Sequence, residues 1–343
     1  MGHRVDLVID RLRGEKLQLD LPIGFRVPVE KVRETLHFSD QVDLSDPIVA
    51  KAVALAGAAA RRDPPLRFAV FGGTACRLRC PSSNDRDLGL RHELHDLDLA
   101  IPLKEALEFQ RFLAEVGERE GSGLTFFESS GDRIYNSIGG GRRLRWHMVV
   151  DQQGSEVVLG TLDLVADTFE FCHRIDVRAD LEAAPTSGWT LSLAHLLLTK
   201  GQFIGRIPRA ESGPVADRVL EPFGKRDVVI GPEAKDVRDM LVLLCDHALG
   251  EGPDELSTRE LARLLEMDWG LWKTFGLNLG MVARSPILKE LPAPVRARIE
   301  DRLRSVRELV AALSPRRRLG FLGGPWWQEV DSTPSVDGTV RVD

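Results

Sequence analysis

The sequence predicts an α+β fold: a domain with a mixed or largely antiparallel sheet over residues 46–185, then an α-helical domain over 186–328. Three observations carry this expectation. The segment "LRFAVF" (66–71) is a short strand, apolar but for Arg67, ending in two glycines. Beyond it, "HDLDLAIP" (95–102) alternates, one helix follows, and three more strand-like segments come in a run, which is not a βαβ repeat. From about Trp189 the apolar residues switch to helical spacing and keep it for more than a hundred residues.

Taken in order, residues 1–45 form an N-terminal extension with a candidate strand at "FRVPV". "DPIVAKAVALAGAAARR" follows, an alanine-rich helix with Asp46 as N-cap and Pro47 in the first turn. "CRLRCPSSNDRDLGLRHEL" (76–94), after the glycines, is polar and rich in turn formers. In "HDLDLAIP", Leu97, Leu99 and Ile101 face one way and Asp96, Asp98 and Ala100 the other. "LKEALEFQRFLAEVGERE" (103–120) is amphipathic and helical. "LTFFES", "RLRWHMVVD" and "SEVVLGTLDLVAD" are strands, the last two joined by the hairpin signal "QQG". "LSLAHLLLTKGQFIGR", "EAKDVRDMLVLLCDHALG", "STRELARLLEM", "GLWKTFGLNLGMVAR" and "APVRARIEDRLRSVRELVAAL" make the helical domain. Trp326 and Trp327 anchor the end of the chain to it, and residues 329–343 form a loose tail.

Composition narrows the function class. The 343 residues are 43% hydrophobic and 29% charged, as in globular domains, and the formal net charge of −6 gives no global nucleic-acid signature. Four cysteines make no disulfide framework. With no readable signal peptide and no apolar stretch of membrane-spanning length, the expected setting is the cytoplasm, without a membrane partner.

The chemistry is concentrated in two places. Asp96 and Asp98 lie on one face of a strand, about 6–7 Å apart by strand geometry. Two carboxylates so close repel unless a cation sits between them, and Mg2+ or Mn2+ suits oxygen ligands shared with substrate phosphate. Gly72 and Gly73 let backbone amides approach phosphate oxygens, and Thr74 adds a hydroxyl. Neither a P-loop nor a dinucleotide fingerprint is present. A secondary signal is the spacing C-x3-C-x11-H-x2-H of Cys76, Cys80, His92 and His95, close to that of zinc ligands. "GGGRRLR" reads as a flexible connection or a basic loop over phosphates. Residues 281–320 hold ten Lys and Arg against four Asp and Glu, a face fit for a nucleic-acid backbone or simply for water.

"FGGTACRL…HDLDLAI" resembles the signature of the nucleotidyltransferase superfamily, whose fold is that of DNA polymerase β. The resemblance implies a polymerase β-like fold for residues 46–185 and a third carboxylate on a later strand. Asp163 in "GTLDLVAD" fits that setting, where it would complete the second metal site beside Asp96 and Asp98 and help to deprotonate the acceptor hydroxyl, with Asp167 and Asp151 as rivals. The helical half, with "LLLTKGQFIGR" and then "KDVRDMLVLL", is similar to the AbiEii branch of toxins and their relatives. That likeness implies a helical Lys-x5-Arg stretch with Lys200 and Arg206 towards the triphosphate. It also implies a second element of Lys235, Asp236 and Asp239, and an active site between the two domains. The spacer from Thr74 to Asp96 is longer than is usual there, which inserts a loop beside the site. The implied activity moves a nucleoside monophosphate from an NTP to an acceptor hydroxyl on RNA or tRNA, a protein or a small molecule. In a toxin pair an antitoxin protein would be the partner. The alternative is a catalytically silent nucleotide- or partner-binding module on the same fold.

Overall fold

The structure is a computed structural model. It describes residues 18–20, 26–28, 46–118, 124–127, 132–133, 136, 142–152, 155–184, 189–208, 219–223, 227–316, 326–328, 332–334 and 340–342. The chain divides into two units. The first comprises residues 1–84, 93–168 and 176–191, and the second residues 85–92, 169–175 and 192–343.

In the first unit, strands β1 (Gln18–Asp20) and β2 (Arg26–Pro28) pair antiparallel, the latter within the expected "FRVPV". Helix α1 (Pro47–Ala60) begins where expected. The Asp46 carboxylate accepts the amides of Ile48 and Val49 at 3.0 and 3.4 Å, satisfying two donors that a helix start leaves open. Strand β3 (Ala69–Phe71) passes straight into helix α2 (Gly72–Arg79). Strand β4 (Asp96–Ile101), helix α3 (Ala106–Glu118) and strands β5 (Leu124–Phe127), β6 (Arg143–Gln152) and β7 (Ser155–Ala166) follow.

The five strands form one mixed sheet in the order β3-β4-β7-β6-β5, in which only β4 and β7 run parallel. One face is apolar: Leu97, Leu99, Ile101, Leu144, Leu162 and Leu164 are all buried. Helix α1 packs on β4 and β7, and Phe109 of α3 meets Phe68 edge-on. Beyond β3, the backbone of Val70 exchanges hydrogen bonds with Trp189 and Leu191, so that edge of the sheet is covered.

A short hairpin, β8 (Thr168–Glu170) with β9 (Arg174–Asp176), and helix α4 (Arg178–Ala183) come next. The second unit is then built on α5 (Leu193–Gly201), α6 (Ala234–Asp246), α7 (Thr258–Met267), α8 (Trp269–Arg284), α9 (Pro286–Glu290) and α10 (Ala293–Ala312). Its core includes Leu241, Leu244, Leu265, Phe275, Leu279, Ile299 and Val306. At Gly201 a Cβ would lie 2.5 Å from the Phe275 ring, so glycine is what allows α5 and α8 to approach this closely.

Two expectations are corrected. The residues after β3 are not an open turn, since Gly72–Arg79 is helical. The second unit is not all helix: β10 (Gly205–Pro208), β11 (Val219–Phe223) and β12 (Asp227–Ile230) form a small sheet, and β13 (Leu249–Gly250) pairs with β14 (Leu256–Ser257). In the tail, β15 (Ser332–Pro334) pairs antiparallel with β16 (Val340–Val342). The tryptophan anchor is in place. Trp326 Nε1 donates to Thr274 Oγ1 at 3.0 Å, and Trp327 is buried.

That anchor adjoins a buried histidine with a pH consequence. His173 Nε2 lies 2.8 Å from Thr274 Oγ1, and its backbone amide donates to Gln202 Oε1 at 3.2 Å. Burial pushes the imidazole from 6.5 down to about 4, against the opposing pull of the Asp268 charge. The folded state holds the ring neutral where the unfolded chain would take up a proton. This contribution is complete above pH 6.5 and is lost as the pH falls towards 4, a span of about 3 kcal/mol. Urea unfolding at pH 7, 6, 5 and 4 should show wild type losing stability more steeply than His173→Gln. Parallel curves would refute the assignment.

Candidate functional site

The polar face of the sheet is organised by register. Phe71 of β3 pairs with Asp98 of β4, Asp98 with Asp163 of β7, and Asp163 with Arg145 of β6. Directly paired residues share a face, so Asp98, Asp163 and Arg145 stand in one row across three strands, spaced by about 5 Å. The neighbouring row runs Asp96, Thr161, His147 on the same face. The leucines between these positions point to the opposite, buried face, which is why the alternation in "DLDLAI" and "TLDLVA" translates into one acidic surface.

Helix α2 closes the end of the row. Gly72 has φ +69°, and a Cβ there would lie 2.1 Å from Asp98 Oδ2. The carboxylate therefore rests against the backbone of the helix's first residue, where a negative charge is favoured. Gly73 and Thr74 are buried in the same turn. The Thr74 hydroxyl, read from sequence as a phosphate donor, donates to the Asp96 carbonyl at 3.3 Å and ties α2 to β4.

Asp163 is held by an arginine. Arg145 Nε donates to its Oδ1 at 2.6 Å and Nη2 to its Oδ2 at 3.2 Å, the bidentate fork that suits a carboxylate. Burial raises the Asp163 pKa, the Arg145 hydrogen bond and charge pull it down, and the Asp96 charge raises it again; the net direction is up. Arg145 is itself fixed: its amide donates to Asn136 Oδ1 at 2.6 Å and its carbonyl accepts from Asn136 Nδ2 at 3.0 Å. His147 Nε2 lies 3.1 Å from Asp132 Oδ2. The rivals of Asp163 have other settings. Asp167, at φ +61°, accepts the Leu103 amide at 3.0 Å, and Asp151 pairs with Glu156 within the hairpin strands.

The second unit carries its own charged cluster. Lys200, in the last turn of α5, lies 2.8 Å from Asp239 Oδ2 and 3.2 Å from Asp236 Oδ1. His92 Nε2 lies 2.8 Å from Asp239 Oδ1. Burial works to raise the Asp239 pKa, but the Lys200 charge and the His92 hydrogen bond outweigh it and hold the carboxylate well below its usual range. The structure thus gathers Lys200, Asp236 and Asp239. Lys235 stands apart, half-exposed, 3.9 Å from Glu233.

Two sequence expectations are corrected here. The Lys-x5-Arg stretch is not one helix, because α5 ends at Gly201 and Arg206 lies on β10, paired with Val229. Asn278 ends the helix by donating to the carbonyls of Gly201 and Phe203 at 2.8 and 2.7 Å. The four zinc-ligand candidates do not gather. Cys76 and Cys80, one turn apart, are buried together at the end of α2. His92 is taken by Asp239, and the His95 side chain is 73% exposed.

Sequence reasoning read Arg145 as part of the "GGGRRLR" connection or basic loop, whereas Arg143–Gln152 is strand, and it passed over His147, Asp132 and Asn136. The alternation of "RLRWHMVVD" could have marked Arg145 and His147 as sharing a face, but not the strand that they face across. Comparison of the chain with protein-family models gives no match, and comparison with curated proteins gives none either. Among the described residues, no helix is long and apolar enough to cross a membrane.

Proposed function

We propose that the first unit is a nucleotidyltransferase of the polymerase β-like kind, moving a nucleoside monophosphate from an NTP to an acceptor hydroxyl. One observation carries this reading: the row in which Asp98 lies between the glycine start of α2 and Asp163, with Asp96 two residues away on the same face. The donor set suits Mg2+ or Mn2+. It is all oxygen, and the Asp96 charge pushes the Asp163 pKa up against the pull of Arg145 and Arg143. Asp96 and Asp98 would hold the cation. When bound, it would neutralise phosphate charge and hold the triphosphate in line with the acceptor.

The residues account for the other parts of the reaction. The acceptor oxygen attacks the α-phosphorus, the bond from that phosphorus to the bridging oxygen breaks, and pyrophosphate leaves with the electron pair. The hydroxyl proton passes to a carboxylate of the acidic face. Amides at the start of α2 suit phosphate oxygens, since a helix N-terminus favours anions. The acceptor class stays open among RNA or a tRNA 3′ end, a protein hydroxyl and a small molecule. The likeness of "LLLTKGQFIGR" and "KDVRDMLVLL" to AbiEii toxins supports a toxin with an antitoxin partner.

A second reading, a catalytically silent nucleotide-binding module, draws on the grip of Arg145 on both oxygens of Asp163. Calorimetry with each NTP, with and without Mg2+, alongside a pyrophosphate assay, separates the two. Transferase activity predicts Mg2+-dependent binding and pyrophosphate release with an acceptor. Binding without release selects the silent module, and no binding refutes both.

A further inference from the structure

We infer that His147, oriented by Asp132, is the general base of this face: its Nδ1 takes the proton of the acceptor hydroxyl as that oxygen attacks. The inference rests on the transferase reading above and names the group that draws the proton. The carboxylate behind the transfer is Asp132, and it acts through the imidazole, where the proton comes to rest. Asp163, which the family resemblance would make the base, is poorly placed for that task, because Arg145 donates to both of its oxygens.

Position, orientation and access all point to the imidazole. His147 pairs with Thr161, which pairs with Asp96, so it stands in the second polar row, two strands or about 10 Å from Asp96. An in-line displacement puts the attacking oxygen opposite the leaving group. Phosphates suit the start of α2, next to β3, and the strand order β3-β4-β7-β6 then sets β6 on the side of attack. Asp132 is buried, and its Oδ2 lies 3.1 Å from His147 Nε2. An ionised carboxylate only accepts, so the ring proton sits on Nε2 and the Nδ1 lone pair is left to take another. A buried acid serves a catalytic histidine in this way, fixing its tautomer and stabilising the imidazolium, which makes Asp132 a positioning residue. The His147 side chain is 31% exposed, and among the described residues its Nδ1 has no partner. Thr161 faces the ring from β7, and Arg145 and Asp163 flank it in the next row. After transfer the imidazolium returns its proton to water, which closes the cycle.

The test begins with the ring itself. Long-range proton–nitrogen correlation on the full chain with labelled histidine should show His147 protonated on Nε2; the signal is assigned by its loss in His147→Gln. Kinetics follow, with pyrophosphate release measured from the four triphosphates, Mg2+ and total RNA or lysate. His147→Gln should lower kcat by about a hundred- to ten-thousandfold and leave KM for the triphosphate within about threefold. Asp132→Asn should lose at least about tenfold in kcat and disturb the Nε2–H signature. His147→Ala leaves room for a free base, so added imidazole should restore its rate at least about tenfold, which it would not do for a histidine that only holds the fold. A wild-type ring protonated on Nδ1, full turnover in His147→Gln, or no rescue of His147→Ala would overturn the role of His147 while leaving the transferase in place. No pyrophosphate release by wild type would overturn the transferase reading itself, and this inference with it.

Discussion

Asp98→Asn is expected to fold like the wild type and to lose metal-dependent nucleotidyl transfer by at least about a thousandfold, or some 4 kcal/mol of transition-state stabilisation. Asp98 is the hinge of the acidic row: Phe71, the residue before the glycine turn, lies on one side of it and Asp163 on the other. Asparagine keeps the shape but removes the charge that would hold a cation. The fold should tolerate the change, because the row already crowds negative charge, as the upward push of Asp96 on Asp163 shows. Circular dichroism and thermal melting check the fold, and labelled-NTP transfer checks the activity. A variant that retains full transfer would remove Asp98 from the chemistry.

Gly72→Ala should separate activity from stability in a different way. The residue sits at φ +69°, where a side chain costs about 1–2 kcal/mol. The added methyl would lie 2.1 Å from Asp98 Oδ2 and 3.1 Å from its Cγ. That neighbour is the far end of a side chain and not backbone, so it is the carboxylate that has to give way and the main chain can stay in place. The stability loss should stay near the conformational cost. The carboxylate, however, must move by the order of an ångström, and such a displacement costs about a hundredfold in rate. Denaturant melts with kinetics on the same protein test both halves. A large loss of stability with normal turnover of the folded fraction would contradict the close approach of Gly72 and Asp98.

Much of the acidic face was legible in the sequence because a strand's period is two. "DLDLAI" and "GTLDLVAD" place acids on one face and leucines on the other wherever the strands lie. Pairing register is a different matter. That Asp163 meets Asp98 on one side and Arg145 on the other depends on how β6, β7 and β4 are laid together, which no local pattern encodes. Helix α2 was missed for a local reason. Two glycines carry poor helix propensity, and what outweighs it comes from outside the helix: Thr74 to the Asp96 carbonyl, and Asn84 Nδ2 to the Arg77 carbonyl at 3.0 Å. The small β10–β12 sheet was hidden in a Gly- and Pro-rich stretch between strong helices. His92 looked like a zinc ligand by spacing, but its partner, Asp239, lies 147 residues further along the chain.

The central claim is that the face built on Asp96 and Asp98 transfers nucleotides. The most direct measurement incubates the purified chain with each α-phosphate-labelled NTP, Mg2+ and total RNA or lysate, and follows both the label and the release of pyrophosphate. The account predicts covalent label on an acceptor, stoichiometric pyrophosphate, and loss of both in Asp98→Asn. No label and no pyrophosphate with any of the four triphosphates, or equal transfer by the Asp98→Asn variant, would contradict it.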